Sequence, residues 1–176
     1  VVQVRGPNGV GKSTLLQLAA RMIEPAEGRI LLGEDDIAGL KLEHFRKAIG
    51  LVSVDAPLLR GSLRFNLRYR CPDAGQAEVD RVAALCRVDE IVRHRPEGEK
   101  FRILERGRNL SLGERQRLML ARALLGEPRV LLLDEADANL DERTVLAEAE
   151  VLKSYPGVVL MVTRNPVWAG HAHETW

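Results

Sequence analysis

The sequence predicts an α/β sandwich: a mostly parallel sheet with helices on both faces and a helical subdomain inserted within it. Two patterns predict this. Short, continuously apolar runs alternate with helix-period segments near the start and in the last third of the chain, and apolar strands set between helices are buried on both sides, as in a parallel sheet. The middle block carries helical periodicity alone. At 176 residues the chain is long enough to close one substantial core. The expected organisation is therefore a single domain over 1–176 with a helical insertion over 62–127.

The elements follow in order. Val1, Val2 and Val4 form an apolar run that leads directly into a glycine-rich turn. Leu15, Leu18, Ala19 and Met22 then recur at helical spacing until Pro25 ends the pattern. A short strand is expected at 29–32, a helix from Leu42 to Ile49 and a strand from Gly50 to Val54. From Ser62 to about Arg95 the apolar positions are helical, with Val79, Val82, Ala83 and Cys86 on one face. The last third predicts a helix from Gly113 to Leu125, a strand from Val130 to Leu133, a helix from Asp141 to Ser154 and a strand from Val158 to Val162. Val1 reads as the tail of a strand already under way, so the chain is expected to be a fragment lacking its N-terminal strands.

Composition narrows the partners. Lys and Arg total 26 against 25 Asp and Glu, a net charge of +1 with no basic stripe, so nucleic acid is not an expected partner. Cys71 and Cys86 are too few for a disulfide framework and fit a reducing compartment. The longest apolar runs, such as 158–162, are far shorter than the roughly 18 residues of a membrane span. A membrane-embedded part, if the protein has one, lies outside these residues.

Gly6-Pro7-Asn8-Gly9-Val10-Gly11-Lys12-Ser13, followed by Thr14, fits the phosphate-loop pattern GxxxxGK[ST] between a strand and a helix. Glycines permit the tight turn that aims successive N–H groups inward, and the helix that follows presents its positive end. Lys12 adds a point charge for β and γ phosphates, and Ser13 is a ligand for Mg²⁺. A second strand, Val130 to Leu133, runs into Asp134-Glu135. Acids at the carboxyl end of a parallel strand face the crevice where ligands bind. Asp134 is expected there to hold Mg²⁺ through its water shell, and Glu135 to polarise a water in line with the γ-phosphate.

Asn109-Leu110-Ser111-Leu112-Gly113-Glu114-Arg115-Gln116-Arg117 precedes the helix leading to the acid-tipped strand. This segment resembles the signature of ATP-binding cassette (ABC) proteins, usually LSGGQ, and its distance from the acids matches. Ala138-Asn139-Leu140-Asp141 resembles the family's D-loop, and Glu105-Arg106-Gly107 resembles the loop that exporter-type members press against their membrane domains. The resemblance implies a P-loop NTPase sandwich that binds and hydrolyses ATP with Mg²⁺ in a head-to-tail dimer, powering export across a membrane. It implies as partners a second ABC ATPase domain and a transmembrane domain upstream, with the chain at the cytoplasmic face of the inner membrane. Ser111, Gly113 and Asp141 would then face the partner subunit's nucleotide. Ser111 with Glu114 is also a capping box, which starts a helix with no nucleotide present, and both readings stand.

Other positions depart from the family pattern. Leu112 and Glu114 replace the usual Gly and Gln. Val54 stands where a Gln ordinarily senses Mg²⁺ and water, and Arg164 stands where a His ordinarily contacts the γ-phosphate. An arginine keeps its charge and cannot shuttle a proton, so Arg164 is expected either to act as a fixed catalytic cation or to point to solvent. These departures keep two alternatives open beside the exporter: a degenerate subunit that binds ATP with little hydrolysis, and a soluble ABC ATPase without a membrane partner. A kinase or GTPase on the same loop is disfavoured, since the guanine-reading NKxD is absent.

Overall fold

The computed structural model describes residues 1–53, 56–138 and 140–176. Val54 therefore lies outside the described residues, as does Asn139. In chain order the elements are β1 (Val2–Gln3), α1 (Lys12–Ala19), β2 (Leu31–Leu32), β3 (Asp35–Asp36), α2 (Leu42–Ala48), β4 (Ile49–Val52), β5 (Gly61–Ser62) and α3 (Leu63–Arg68). There follow α4 (Gln76–Leu85), α5 (Asp89–Arg93), β6 (Arg102–Ile103), α6 (Leu112–Leu124), β7 (Val130–Asp134), α7 (Glu142–Lys153), β8 (Val158–Val162), α8 (Pro166–Ala169) and β9 (Glu174–Thr175).

Five strands form the central sheet in the order β4-β7-β8-β1-β9, and every pairing in it is parallel. Alternation along β7 shows how the sheet divides the interior. Leu132 packs into one core with Val4, Leu16, Phe45 and Val162, whereas Leu131 and Leu133 belong to the other, with Leu118, Val145 and Trp168. Adjacent side chains on a strand point to opposite faces, so a run of three leucines feeds both layers. Gly50 on β4 permits a close approach of helix and sheet: a Cβ there would lie 2.6 Å from the Ala123 carbonyl oxygen of α6.

The middle block, expected to be helical from Ser62 to about Arg95, is helical in separate pieces. It is three helices, α3, α4 and α5. Pro72 and the residues around it separate the first two, because proline lacks an N–H and clashes with the preceding turn. Arg87, at φ 53, turns the chain between the second and third. Here β5 pairs antiparallel with β6, a small ladder that the helical pattern concealed. Elsewhere the expected elements are present with ends moved by a few residues; α1 stops at Ala19, and Asp141 and Ser154 are the caps of α7 and lie outside it.

Among the described residues, no helix is long and apolar enough to cross a membrane.

Candidate functional site

Strand order builds the site. β8 lies between β7 and β1, so the turns leaving their carboxyl ends meet at one edge of the sheet. A cleft of about 340 Å³ opens there, lined by Asn8, Gly9, Gly11, Lys12, Ser13, Thr14, Asp134, Glu135, Val162 and Arg164. The structure thus brings the glycine-rich loop, both acids and Arg164 together. Gly6, Pro7 and Val10 are not among the lining residues.

The loop's backbone explains its glycines. Gly11 caps α1 at φ 101, in the left-handed region, which a side chain would strain. Lys12 folds back over the loop, its Nζ donating to the carbonyl oxygens of Gly6 and Pro7 at 2.9 Å each. The ammonium is thereby parked at the cleft, between carbonyls and beside the N-terminus of α1. Ser13 and Thr14 follow in the first turn of that helix.

Asp134 ends β7 and is buried, 8% exposed. No hydrogen bond from the described residues engages its carboxylate, and none engages the Ser13 hydroxyl. An uncommitted carboxylate and hydroxyl on one cleft are the oxygen donors a hard divalent cation takes, so these residues fit Mg²⁺. Among the described residues no cluster of three or more His, Cys, Asp or Glu forms an alternative metal site.

Glu135 turns the chain out of the strand at φ 47, a left-handed conformation rarely adopted by a non-glycine residue. Its backbone is held on both sides. The N–H donates to Val162 O at 2.9 Å, and its carbonyl accepts from Gln116 Nε2 at 3.3 Å. Such local strain persists where the surrounding structure overdetermines it, and it presents the Glu135 carboxylate to the cleft. Arg164 meets that carboxylate: its Nη2 lies 3.3 Å from Glu135 Oε1 and 2.5 Å from Asn8 Oδ1. Arg164 is thus two-thirds exposed and at the same time in contact with both sides of the cleft.

Ser111, Gly113 and Asp141 do not line this cleft. Ser111 and Asp141 are exposed. Ser111 caps α6, and both halves of the capping box are formed, with Glu114 N to Ser111 Oγ at 3.1 Å and Ser111 N to a Glu114 oxygen at 2.8 Å. Glu114 is tied further by Arg95, which donates to both its oxygens at 2.8 Å while stacking over Phe101. Asp141 caps α7, accepting from Thr144 N and Oγ1 at 2.9 and 2.8 Å. These bonds hold its carboxyl below the ordinary aspartate range.

Sequence reasoning missed the side chain of Asn8 and the backbone support from Gln116. No pattern signals either, because each acts through a contact between segments distant in sequence.

A family model described as ABC transporter matches residues 1–138. The chain is 38% identical over 170 residues to "Iron-sulfur clusters transporter atm1, mitochondrial" of Aspergillus fumigatus, covering 97% of this chain and 23% of that protein. It is 40% identical over 154 residues to "ABC transporter ATM1" of Toxoplasma gondii, 88% of this chain and 13% of that one. Over 157 residues it is 38% identical to "ATM1-type heavy metal exporter" of Novosphingobium aromaticivorans, 89% of this chain and 25% of that one. A solved structure of a bacterial Atm1-family ABC exporter with ATP bound superposes with a TM-score of 0.87 at 34% identity, covering 96% of this chain and 30% of that one. The chain thus spans less than a third of the length of each of these proteins.

Proposed function

Because the chain belongs to the ABC transporter family, and its fold matches that of the ATPase part of an Atm1-family exporter, we propose that it binds and hydrolyses Mg-ATP to drive export across a membrane. The observation that carries this reading is convergence: Lys12, Ser13, Asp134, Glu135 and Arg164 come from three separate strand ends and line one cleft.

Each group has a role that its chemistry suits. Backbone N–H groups of Gly6 and of 8–14 cradle the phosphates at the positive end of α1, Pro7 having no N–H to give. Lys12 leaves its two carbonyl partners for the β and γ phosphates. Ser13 and Asp134 would hold Mg²⁺, which would supply charge neutralisation at those phosphates. Glu135 orients a water for in-line attack on the γ-phosphate, and Arg164 offers a fixed cation to the charge that develops there. Catalysis of this kind is mostly positioning and electrostatics, which is what a strained, doubly anchored turn at Glu135 supplies.

The functional unit is a head-to-tail dimer with a second ABC ATPase domain, in which Ser111, Gly113 and Asp141 of one subunit approach the nucleotide of the other. The exposure of Ser111 and Asp141 away from the chain's own cleft supports this reading. The helical insertion spans 62–127 of one domain over 1–176, and the partner in the membrane is a transmembrane domain on the same chain, with the ATPase part at the cytoplasmic face of the inner membrane.

Nucleotide titration with the full-length protein and its Lys12→Ala variant tests the assignment. Loss of Mg-ATP binding in the variant is expected; equal affinity for the two forms would overturn it.

A further inference from the structure

We propose that Arg164 is a resting clamp across the cleft, tying the Asn8 amide to the Glu135 carboxylate until the terminal phosphate of a nucleoside triphosphate draws the guanidinium away and frees Glu135. This rests on the reading of the cleft as an ATP site, and it adds a regulatory contact within that site.

The topology gives Arg164 this reach. It follows β8, the strand between β7 and β1, so it stands between the turn that carries Glu135 and the loop that carries Asn8. Its backbone neighbours are fixed. Thr163 donates from Oγ1 to Asp137 Oδ2 at 2.6 Å and accepts Gln3 Nε2 on its carbonyl at 3.2 Å, while Asn165 caps α8. Motion is therefore left to the Arg164 side chain, which is two-thirds exposed. One nitrogen of the fork contacts both loops, at 2.5 Å to Asn8 Oδ1 and 3.3 Å to Glu135 Oε1.

Neither acceptor has a competing side-chain donor among the described residues. The Glu135 backbone is pinned at its N–H and its carbonyl, so releasing the carboxylate changes its partner without moving the turn. The pair is half-exposed, and exposed ion pairs are weak. A terminal phosphate carries more charge and more acceptor oxygens than a single carboxylate, so it wins the guanidinium. A diphosphate has no terminal group in that position and leaves the clamp closed. Arginine also remains charged across the physiological range, so the clamp responds to the nucleotide and not to pH.

The clamp competes with ATP, which gives Asn8→Ala and Arg164→Ala opposite signs. Asn8 does not have positive φ, so alanine fits its backbone and keeps its N–H. In the full-length protein, Asn8→Ala is expected to tighten ATP binding about 2- to 5-fold, the strength of an exposed polar pair, and to leave ADP binding unchanged. Arg164→Ala is expected to weaken ATP binding roughly 10-fold, the scale of one hydrogen bond to a charged group, again sparing ADP. Arg164→His is expected to make ATP affinity fall as pH rises through about 6.5, a dependence the parent lacks.

Unchanged or weaker ATP binding in Asn8→Ala overturns the clamp, as does an equal loss of ATP and ADP binding in Arg164→Ala. Lys12→Ala separates the two levels. If it binds ATP as the parent does, the ATP-site reading itself fails; if it loses ATP while Asn8→Ala matches the parent, only the clamp fails.

Discussion

Glu148 makes the stability of this domain depend on pH. It lies on α7, 1% exposed, and neither carboxylate oxygen has a hydrogen-bond partner among the described residues. Burial pushes its pKa up from 4.5 to about 8; the Arg117 charge opposes the rise, and Asp137 and Asp141 add to it. The folded state therefore keeps the proton at pH values where the unfolded chain has released it. Stability from this group is fully present below pH 4.5 and is lost as pH climbs through about 8. At about 1.4 kcal/mol per pH unit, the loss between pH 5 and 8 is roughly 4 kcal/mol. Glu148→Met places an apolar chain of similar length in the same site and removes the slope. Urea unfolding at pH 5, 6, 7 and 8, followed through the buried Trp168, measures it. The advantage of the variant over the parent should widen by about 4 kcal/mol across that range; a constant advantage would refute a buried, neutral Glu148.

Glu135→Gln should slow ATP hydrolysis on the order of 10²-fold or more while leaving ATP bound, so the dimer persists in sedimentation with ATP; a monomer hydrolysing at the parent rate would contradict the assignment. Arg70→Ala should destabilise the fold by about 1–3 kcal/mol in urea: its guanidinium donates to the carbonyls of Arg46, Lys47 and Ile49, at 3.3, 3.0 and 3.4 Å, and to those of Ala123 and Leu125, joining the ends of α2 and α6 to the segment that follows α3. Ser111→Ala should cost about 1 kcal/mol by removing the cap of α6, whereas Ser111→Asp should keep most of that stability, which thermal unfolding separates.

The sheet was legible because it is built from local signals. Leu131, Leu132 and Leu133 form a run that reads as a strand buried on both faces, and each packs as that reading requires. The capping box at Ser111 was equally plain, since both partners lie within one turn. The breaks within the helical block from Ser62 to Arg95 were not, because a helical period survives a break in the chain: Val79, Val82 and Cys86 still share one core although Arg87 turns the backbone after them. The ladder between β5 and β6 joins residues about forty positions apart, and two-residue strands have no period to detect.

The cleft divides along the same line. Lys12, Ser13, Asp134 and Glu135 announce themselves because their spacing to a strand or a helix is itself the chemistry, and the parallel order of β7, β8 and β1 brings those spacings to one edge. Arg164 could be placed at the strand end, but its partners could not. Whether a long cation reaches Asn8 or solvent depends on the separation of two loops more than 100 residues apart in sequence, and no local pattern encodes that distance. The same holds for Glu148. Its α7 sequence places an acid among Val145, Ala149 and Leu152, all buried, and only the depth of burial in the folded chain, which outweighs the nearby Arg117 charge, decides that the acid keeps its proton. Local spacing determines which groups reach the cleft, whereas contacts across the fold determine which of them are held back at rest, and the pairing of Arg164 with Glu135 is where the two levels meet.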